Sequence, residues 1–209
     1  MRLGRSASAW SIVADTDNQR VDVLSPELTY LRSTPIPDPL QVAANASSIY
    51  VLSPTGYNYT LSQFANDSSL TPEASHVIAG IGDDQLTGPA DIYDQLAVND
   101  SGDLLLTDRS DQTILMYDPS LSFLGAWHES TPISGLAIGD YAGGQQLYFA
   151  ENVYSNADIV RSDIQGHQQG TFGPTTVGGL SLSPWALATD SKAHCLGSCP
   201  SPQGSVQVG

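Results

Sequence analysis

The sequence predicts an all-β fold assembled from repeated four-stranded antiparallel units, and three observations predict it. Short apolar runs rich in Val, Ile, Leu and Tyr are broken by Gly, Pro, Asn and Asp, which is how strands and their turns read. No stretch beyond about ten residues keeps the i, i+3, i+4, i+7 spacing of an amphipathic helix. A phrase also recurs. At Leu96–Leu124 it reads LAVND-SGD-LLLTD, a polar turn, QTILMYD and then PSLSFL, and a fainter copy runs from Ser11 to Leu31. Aligning the two places Asp15 on Asp108, Asn18-Gln19 on Asp111-Gln112, and Val21–Leu24 on Ile114–Tyr117. Repetition at about 40–45 residues with several short strands per unit is the signature of a β-propeller blade.

The elements follow in chain order. The first unit supplies strands at Ser11–Ala14, Arg20–Leu24 and Glu27–Leu31, and it lacks an opening strand. The second supplies Leu40–Ala44, Ser48–Leu52, Asn58–Leu61 and a segment near His76–Ile78. The third supplies Gln95–Asn99, Leu104–Thr107, Thr113–Tyr117 and Ser122–Ala126. The fourth supplies Gly135–Ile138, Gln146–Ala150, Asp158–Arg161 and Gln169–Phe172. A fifth opens with Trp185–Thr189 and continues through Ala193–Leu196 and Ser205–Val208. The whole chain, 1–209, thus reads as one propeller domain with four to five blades near 11–34, 38–80, 94–128, 133–173 and 183–209, the last partial. Residues 66–89 form an insertion too long for an ordinary hairpin, of a length at which loops are either functional or disordered. Two arrangements of the ends stay open. Trp185–Thr189 completes the first blade, or the open edges pair in a larger ring or with another copy.

Composition bounds the partners. The formal net charge is -15 at a pI near 4.1, with only seven Lys and Arg, so the field repels phosphates and disfavours nucleic acid. No apolar run approaches the roughly 20 residues that a membrane-spanning helix needs. The N-terminal MRLGRSASAWSIV has two arginines but no apolar stretch of signal-peptide length. Four Asn-x-Ser/Thr sequons, at Asn45, Asn58, Asn66 and Asn99, are candidate glycosylation sites and point to an extracellular or cell-surface protein. Cys195 and Cys199, spaced around Leu-Gly-Ser, are candidates for a local disulfide, with a metal half-site or free thiols as alternatives.

The LAVND-SGD-LLLTD-x-x-D-Q-T-I-L-M-Y-D order of residues 95–127 resembles the NHL-type repeat of β-propellers, Ile12–Leu31 matches its latter two-thirds, and Leu136–Arg161 matches more loosely. The resemblance implies a scaffold shared by binding modules, lactonases and lyases, so function does not follow from fold. In propellers resembling gluconolactonase or paraoxonase, acids and amides converge on a calcium ion. The equivalent recurrent set here is Asn45, Asn99-Asp100, Asp140 and Asp190, of which Asn99, Asp140 and Asp190 are the candidate ligands, although β-turn chemistry explains the same pattern. Amidating lyases on a similar scaffold use histidines for zinc at the starts of innermost strands, where this chain carries Pro39-Leu40, Gln95-Leu96 and Gly135-Leu136. His76, His128, His167 and His194 show no ligand spacing.

Asp15, Asp108 and Glu151 end second strands and read as turn residues, and the Asp15-Thr-Asp17-Asn18 cluster lacks the Gly and distal Glu of an EF-hand loop. No G-x-S-x-G elbow, H-E-x-x-H or P-loop occurs, so no catalytic residue is assigned. The function expected is therefore a non-enzymatic interaction or structural module that binds a protein partner or further copies of itself through incomplete terminal blades. No cofactor is expected, calcium being the ion the acids would suit. The alternative is a metal-dependent propeller hydrolase or lyase.

Overall fold

The computed structural model describes residues 2–5, 10–55, 58–67, 70–78, 95–109, 112–141, 144–151, 158–172, 176–177, 180–181, 186–189, 195–198 and 205–208. The side chains of residues 2–5, 141 and 172, and of those after 175 except Leu187, lie outside that description.

The fold is a β-propeller of antiparallel sheets. The first sheet has the order β1 (Arg2–Arg5), β2 (Ser11–Asp15), β3 (Arg20–Leu24), β4 (Tyr30–Pro35), and the second β5 (Gln41–Ala44), β6 (Ser48–Thr55), β7 (Asn58–Ala65), β8 (Pro72–Ile78). The third contains β9 (Leu96–Val98), β10 (Leu104–Asp108), β11 (Thr113–Tyr117) and β12 (Phe123–His128). The fourth contains β13 (Ile133–Tyr141), β14 (Gly144–Glu151), β15 (Ile159–Ser162) and β16 (Gln168–Phe172). A short hairpin, β17 (Thr176–Val177) and β18 (Leu180–Ser181), precedes a three-stranded sheet of β19 (Ala186–Thr189), β20 (Cys195–Ser198) and β21 (Ser205–Val208). Among the described residues the helical content is one 3-10 turn at Thr16–Asn18.

Two expectations about the ends are corrected. The first sheet has its opening strand, since Arg2–Arg5 pairs with Ser11–Ala14 from Arg2↔Ala14 to Arg5↔Ser11. Arg-Leu-Gly-Arg carries no apolar alternation, so it gives no strand signal; pairing with the strongly apolar β2 defines it instead. Likewise β19 pairs with β20 and does not complete the first sheet. A third correction concerns Glu27–Leu31. Residues 25–29 are the hairpin turn, with Leu28 at φ 61, and the strand begins at Tyr30. Of the long insertion, Pro72–Ile78 is the outermost strand of the second sheet, and residues 79–89 lie outside the described residues.

The chain divides into two compact units. One comprises Met1–Ile92, Leu96–Leu105 and Met116–Leu124, and the other Tyr93–Gln95, Leu106–Leu115 and Gly125–Gly209. In the first, strand alternation sends Ile12, Ala14, Val21 and Val23 to one face, where they meet Val42, Ile49, Val51 and Phe64 of the second sheet in a common core. Ile36 and Leu70 close that core. Burying side chains of this size contributes about 1.5–3 kcal/mol each. The core of the second unit joins Ala137, Tyr148, Ala150 and Ile159 to Leu187 of the last sheet.

The repeat read from the sequence is a repeat of backbone conformation. Gln19 (φ 52) and Gln112 (φ 56) both sit in the left-handed region after the second strand. Each N–H closes the turn onto a carbonyl three residues back, Gln19 onto Thr16 and Gln112 onto Arg109. Each carbonyl then accepts from the residue that follows the last strand of its sheet, Ile36 at 3.1 Å and Glu129 at 2.7 Å. The third-to-fourth strand hairpins repeat as well. Leu28 N–H donates to Ser25 O, Leu121 N–H to Asp118 O, and Gly166 N–H to Asp163 O.

Candidate functional site

The polar residues that recur at equivalent places are committed to turns. Both carboxylate oxygens of Asp15 accept from the Asn18 amide nitrogen, at 2.8 and 3.0 Å, and Oδ2 also accepts from the Arg20 Nε at 3.1 Å. Its carboxylate is thereby engaged in holding the turn, as the turn reading of Asp15–Asn18 expects. Glu151, at the matching position of the fourth sheet, ties its N–H to Asp158 O at 2.9 Å. The Asp108 turn is held through Gln112, whose amide, oriented by its neighbours, donates to Glu129 O (3.3 Å) and Ser130 O (3.2 Å). Asp111 and Asn156 lie outside the described residues.

The asparagines after the first strands form a linked set. Asn45 Oδ1 accepts from the N–H groups of Ser47 and Ser48, and Asn99 Oδ1 accepts from Asp103 N–H at 2.8 Å. Both are Asx-type turns. The Asn45 amide then donates to Asn99 O across 54 residues of sequence at 3.3 Å, while Asn99 Nδ2 donates to Asp103 Oδ2 at 2.9 Å. Asn66 Nδ2 donates to Asn45 O at 2.6 Å. Gly102, at φ +93 inside this turn, has no room for a side chain, because a Cβ there would stand 2.9 Å from Pro119 Cγ. One turn of the second sheet is thereby fastened to one turn of the third.

Of the candidate metal ligands, Asn99 is 2% exposed with both amide atoms engaged, and Asp140 is exposed at the end of β13. Asp190 lies outside the described residues, as do Cys199, His194 and the side chain of Cys195. Among the described residues no three His, Cys, Asp or Glu stand together as a metal set. The other histidines serve surfaces. His128 Nδ1 is 2.7 Å from Thr113 Oγ1, His167 Nδ1 is 2.9 Å from Asp163 Oδ2, and the His76 ring lies 6.0 Å from that of Tyr117. Burial pushes the Tyr117 hydroxyl up to about 12. Glu129 is raised by partial burial and by the nearby charge of Glu151.

The outermost strands hold the feature that sequence reasoning missed. The exposed large apolar side chains among the described residues are Leu28, Tyr30, Leu31, Val77, Phe123 and Leu124. All lie on β4, β8 or β12, or on the hairpin leading into β4. Superposing the hairpins in register puts Tyr30-Leu31 on Phe123-Leu124, whereas the second and fourth sheets carry Pro72-Glu73 and Gln168-Gln169 there. Rings connect two of these strands. His76 of β8 meets Tyr117, and Tyr117 meets Phe123 edge-on at 5.7 Å. The signal in the sequence is an aromatic-Leu pair that begins two residues after Leu28 in the first unit and two residues after Leu121 in the third. On an outer strand such a pair is indistinguishable from core alternation until burial is known.

No protein-family model and no curated protein matches the chain. Solved structures do. A protein of unknown function from Bacteroides caccae superposes with a TM-score of 0.70 at 10% identity, covering 99% of this chain and 76% of that one. Virginiamycin B lyase from Staphylococcus aureus superposes at 0.62 and 11% identity, covering 99% and 68%. BBS1N, solved in complex with ARL6DN, superposes at 0.62 and 13% identity, covering 95% of this chain and 56% of its own. At these identities the likeness shows the propeller fold alone.

Proposed function

We propose that this chain is a non-enzymatic, NHL-type propeller module of the cell exterior that docks a protein partner on its outer strands. One observation carries the reading. The exposed large apolar groups of the described residues fall on outermost strands, and the aromatic-Leu pair is repeated at one register position in the first and third sheets. Their repetition on outermost strands, where a partner can reach them, is what supports the reading. The net charge of -15 sets the partner's chemistry: an apolar face rimmed by Lys and Arg, with a second copy disfavoured by repulsion. The solved complex of BBS1N with ARL6DN is a precedent for a propeller of this fold binding a protein.

Chemical cross-linking of native material, with the linked residues mapped by mass spectrometry, tests this. Links concentrated on residues 27–34, 72–78 and 122–128, and lost in a Phe123→Ser/Leu124→Ser variant, are expected. Links elsewhere, or retained in the variant, overturn it.

A lyase or hydrolase is the second reading, favoured by the likeness to virginiamycin B lyase. It requires ligands beyond the described residues. Metal analysis of the same native preparation separates the two: one stoichiometric calcium or zinc per chain would put the enzyme first.

A further inference from the structure

The four sequon asparagines are equal in sequence and unequal in the fold. Asn45 is 8% exposed and its amide nitrogen donates to Asn99 O. Asn99 is 2% exposed and its amide nitrogen donates to the Asp103 carboxylate. Asn66 is half-buried with its nitrogen held against Asn45 O at 2.6 Å. A glycan replaces one of the two amide hydrogens and needs room for a sugar beside the nitrogen, so on any of these it would crowd the turn-to-turn linkage, and on Asn45 or Asn99 it would have to emerge from a buried residue. Asn58 differs. It opens β7 at the very end of the β6–β7 hairpin, opposite Thr55, and its amide takes no part in that linkage. The third sequon residue, Thr60, is on the same surface, its hydroxyl 2.6 Å from Thr55 Oγ1 in an exposed pair.

We propose that Asn58, the one sequon of the four whose amide nitrogen stays out of the turn-to-turn linkage, is the acceptor of one N-linked glycan. In the modification, the Asn58 amide nitrogen attacks C1 of a polyprenyl-pyrophosphate-linked oligosaccharide. A C1–Nδ2 bond forms as the C1–O bond to the pyrophosphate breaks; the pyrophosphate leaves with the bonding electrons, and the amide gives up one proton. Asn58 and Thr60 are half-buried, as Asn66 is, and they lie two residues apart on one face of β7; what sets Asn58 apart is an amide nitrogen that holds no turn of the second or third sheet in place. The other three asparagines are structural, kept for their hydrogen bonds.

The test is to express the full chain behind a secretion signal in a glycosylating eukaryotic host and map glycopeptides in the folded, monomeric fraction. One glycan at Asn58 is expected, absent in Asn58→Gln and in Thr60→Val, with the melting temperature of Asn58→Gln unchanged from the deglycosylated parent. A glycan at Asn45, Asn66 or Asn99 in folded protein, or a bare Asn58, overturns the proposal. Modification of the purified, folded chain by an oligosaccharyltransferase in vitro reads the same point without secretion. Asn58 should react at least about ten-fold faster than the other three, and equal rates would contradict the assignment.

Discussion

In the first and third sheets the hairpin between the third and fourth strands has the same backbone. An acceptor side chain, Ser25 Oγ or Asp118 Oδ1, receives two N–H groups, those of Glu27 and Thr29 or of Ser120 and Ser122. A leucine then turns left-handed, Leu28 at φ 61 and Leu121 at φ 65. That conformation costs an L-residue about 1–2 kcal/mol. In the third sheet the cost is offset, because Leu121 is 2% exposed and its side chain is buried. In the first sheet Leu28 is 62% exposed, so burial of its side chain does not offset the cost there. The fourth sheet avoids the problem with Gly166 at φ +90, where a Cβ would stand 2.9 Å from the Trp127 ring. One backbone therefore serves packing in one place and leaves an apolar side chain presented to solvent in the other, beside Tyr30 and Leu31. A left-handed residue whose side chain gains no burial within the described residues is a reason to look for an external contact.

The largest effect should come from Leu121→Gly. Losing a buried leucine outweighs relief of the backbone, for a net destabilisation of about 2–3 kcal/mol by denaturant melting. A neutral result would mean that Leu121 is not a core residue. Next is Asn99→Ala, which leaves the buried turn at Gly102–Asp103 and the end of β9 without their tie and should cost about 2 kcal/mol. Leu28→Gly, the counterpart of the first change, should act in the opposite direction and stabilise the isolated chain by about 1 kcal/mol while weakening partner capture. Destabilisation there would erase the contrast between the two hairpins.

The smallest effect concerns pH. Hydrogen bonds from the Ser120 side chain and the Ser122 N–H hold the Asp118 carboxyl below the usual carboxylate value of 3.8. A group lowered in the folded state stabilises fully above its unfolded pKa, and that stabilisation is lost as pH falls through the folded one. Asp118→Ser copies the Ser25 arrangement, so it should leave the melting temperature near neutrality almost unchanged and flatten its fall below about pH 4. A parallel acid limb in wild type and variant would show that the turn does not depend on the carboxylate.

The sequence shows the repeat because turn chemistry is local. Asp15, Gln19, Asp108 and Gln112 announce themselves by residue type and spacing, and the propeller follows from them. Four features are not legible in the sequence. Arg2–Arg5 becomes a strand through its neighbour β2 rather than through its own composition. Leu28 reads as a strand residue because apolar pattern carries no information about the sign of φ. Asn45 and Asn99 are recognisable as turn formers, but the hydrogen bond between them joins residues 54 apart in sequence. The outer-strand pairs Tyr30-Leu31 and Phe123-Leu124 were legible as apolar residues and not as exposed ones, since exposure depends on which strand ends the sheet.

Hydroxyl-radical footprinting, comparing native material with the purified chain, tests the docking surface most directly. Both samples expose the same backbone, so a difference at Leu28, Tyr30, Leu31, Phe123 and Leu124 reports what covers them. If a partner occupies the outer strands, oxidation of these side chains in native material should fall at least about five-fold, with buried Tyr148 and Phe149 equally silent in both. Equal oxidation of Tyr30 and Phe123 in the two samples would contradict a docking role for the outer strands.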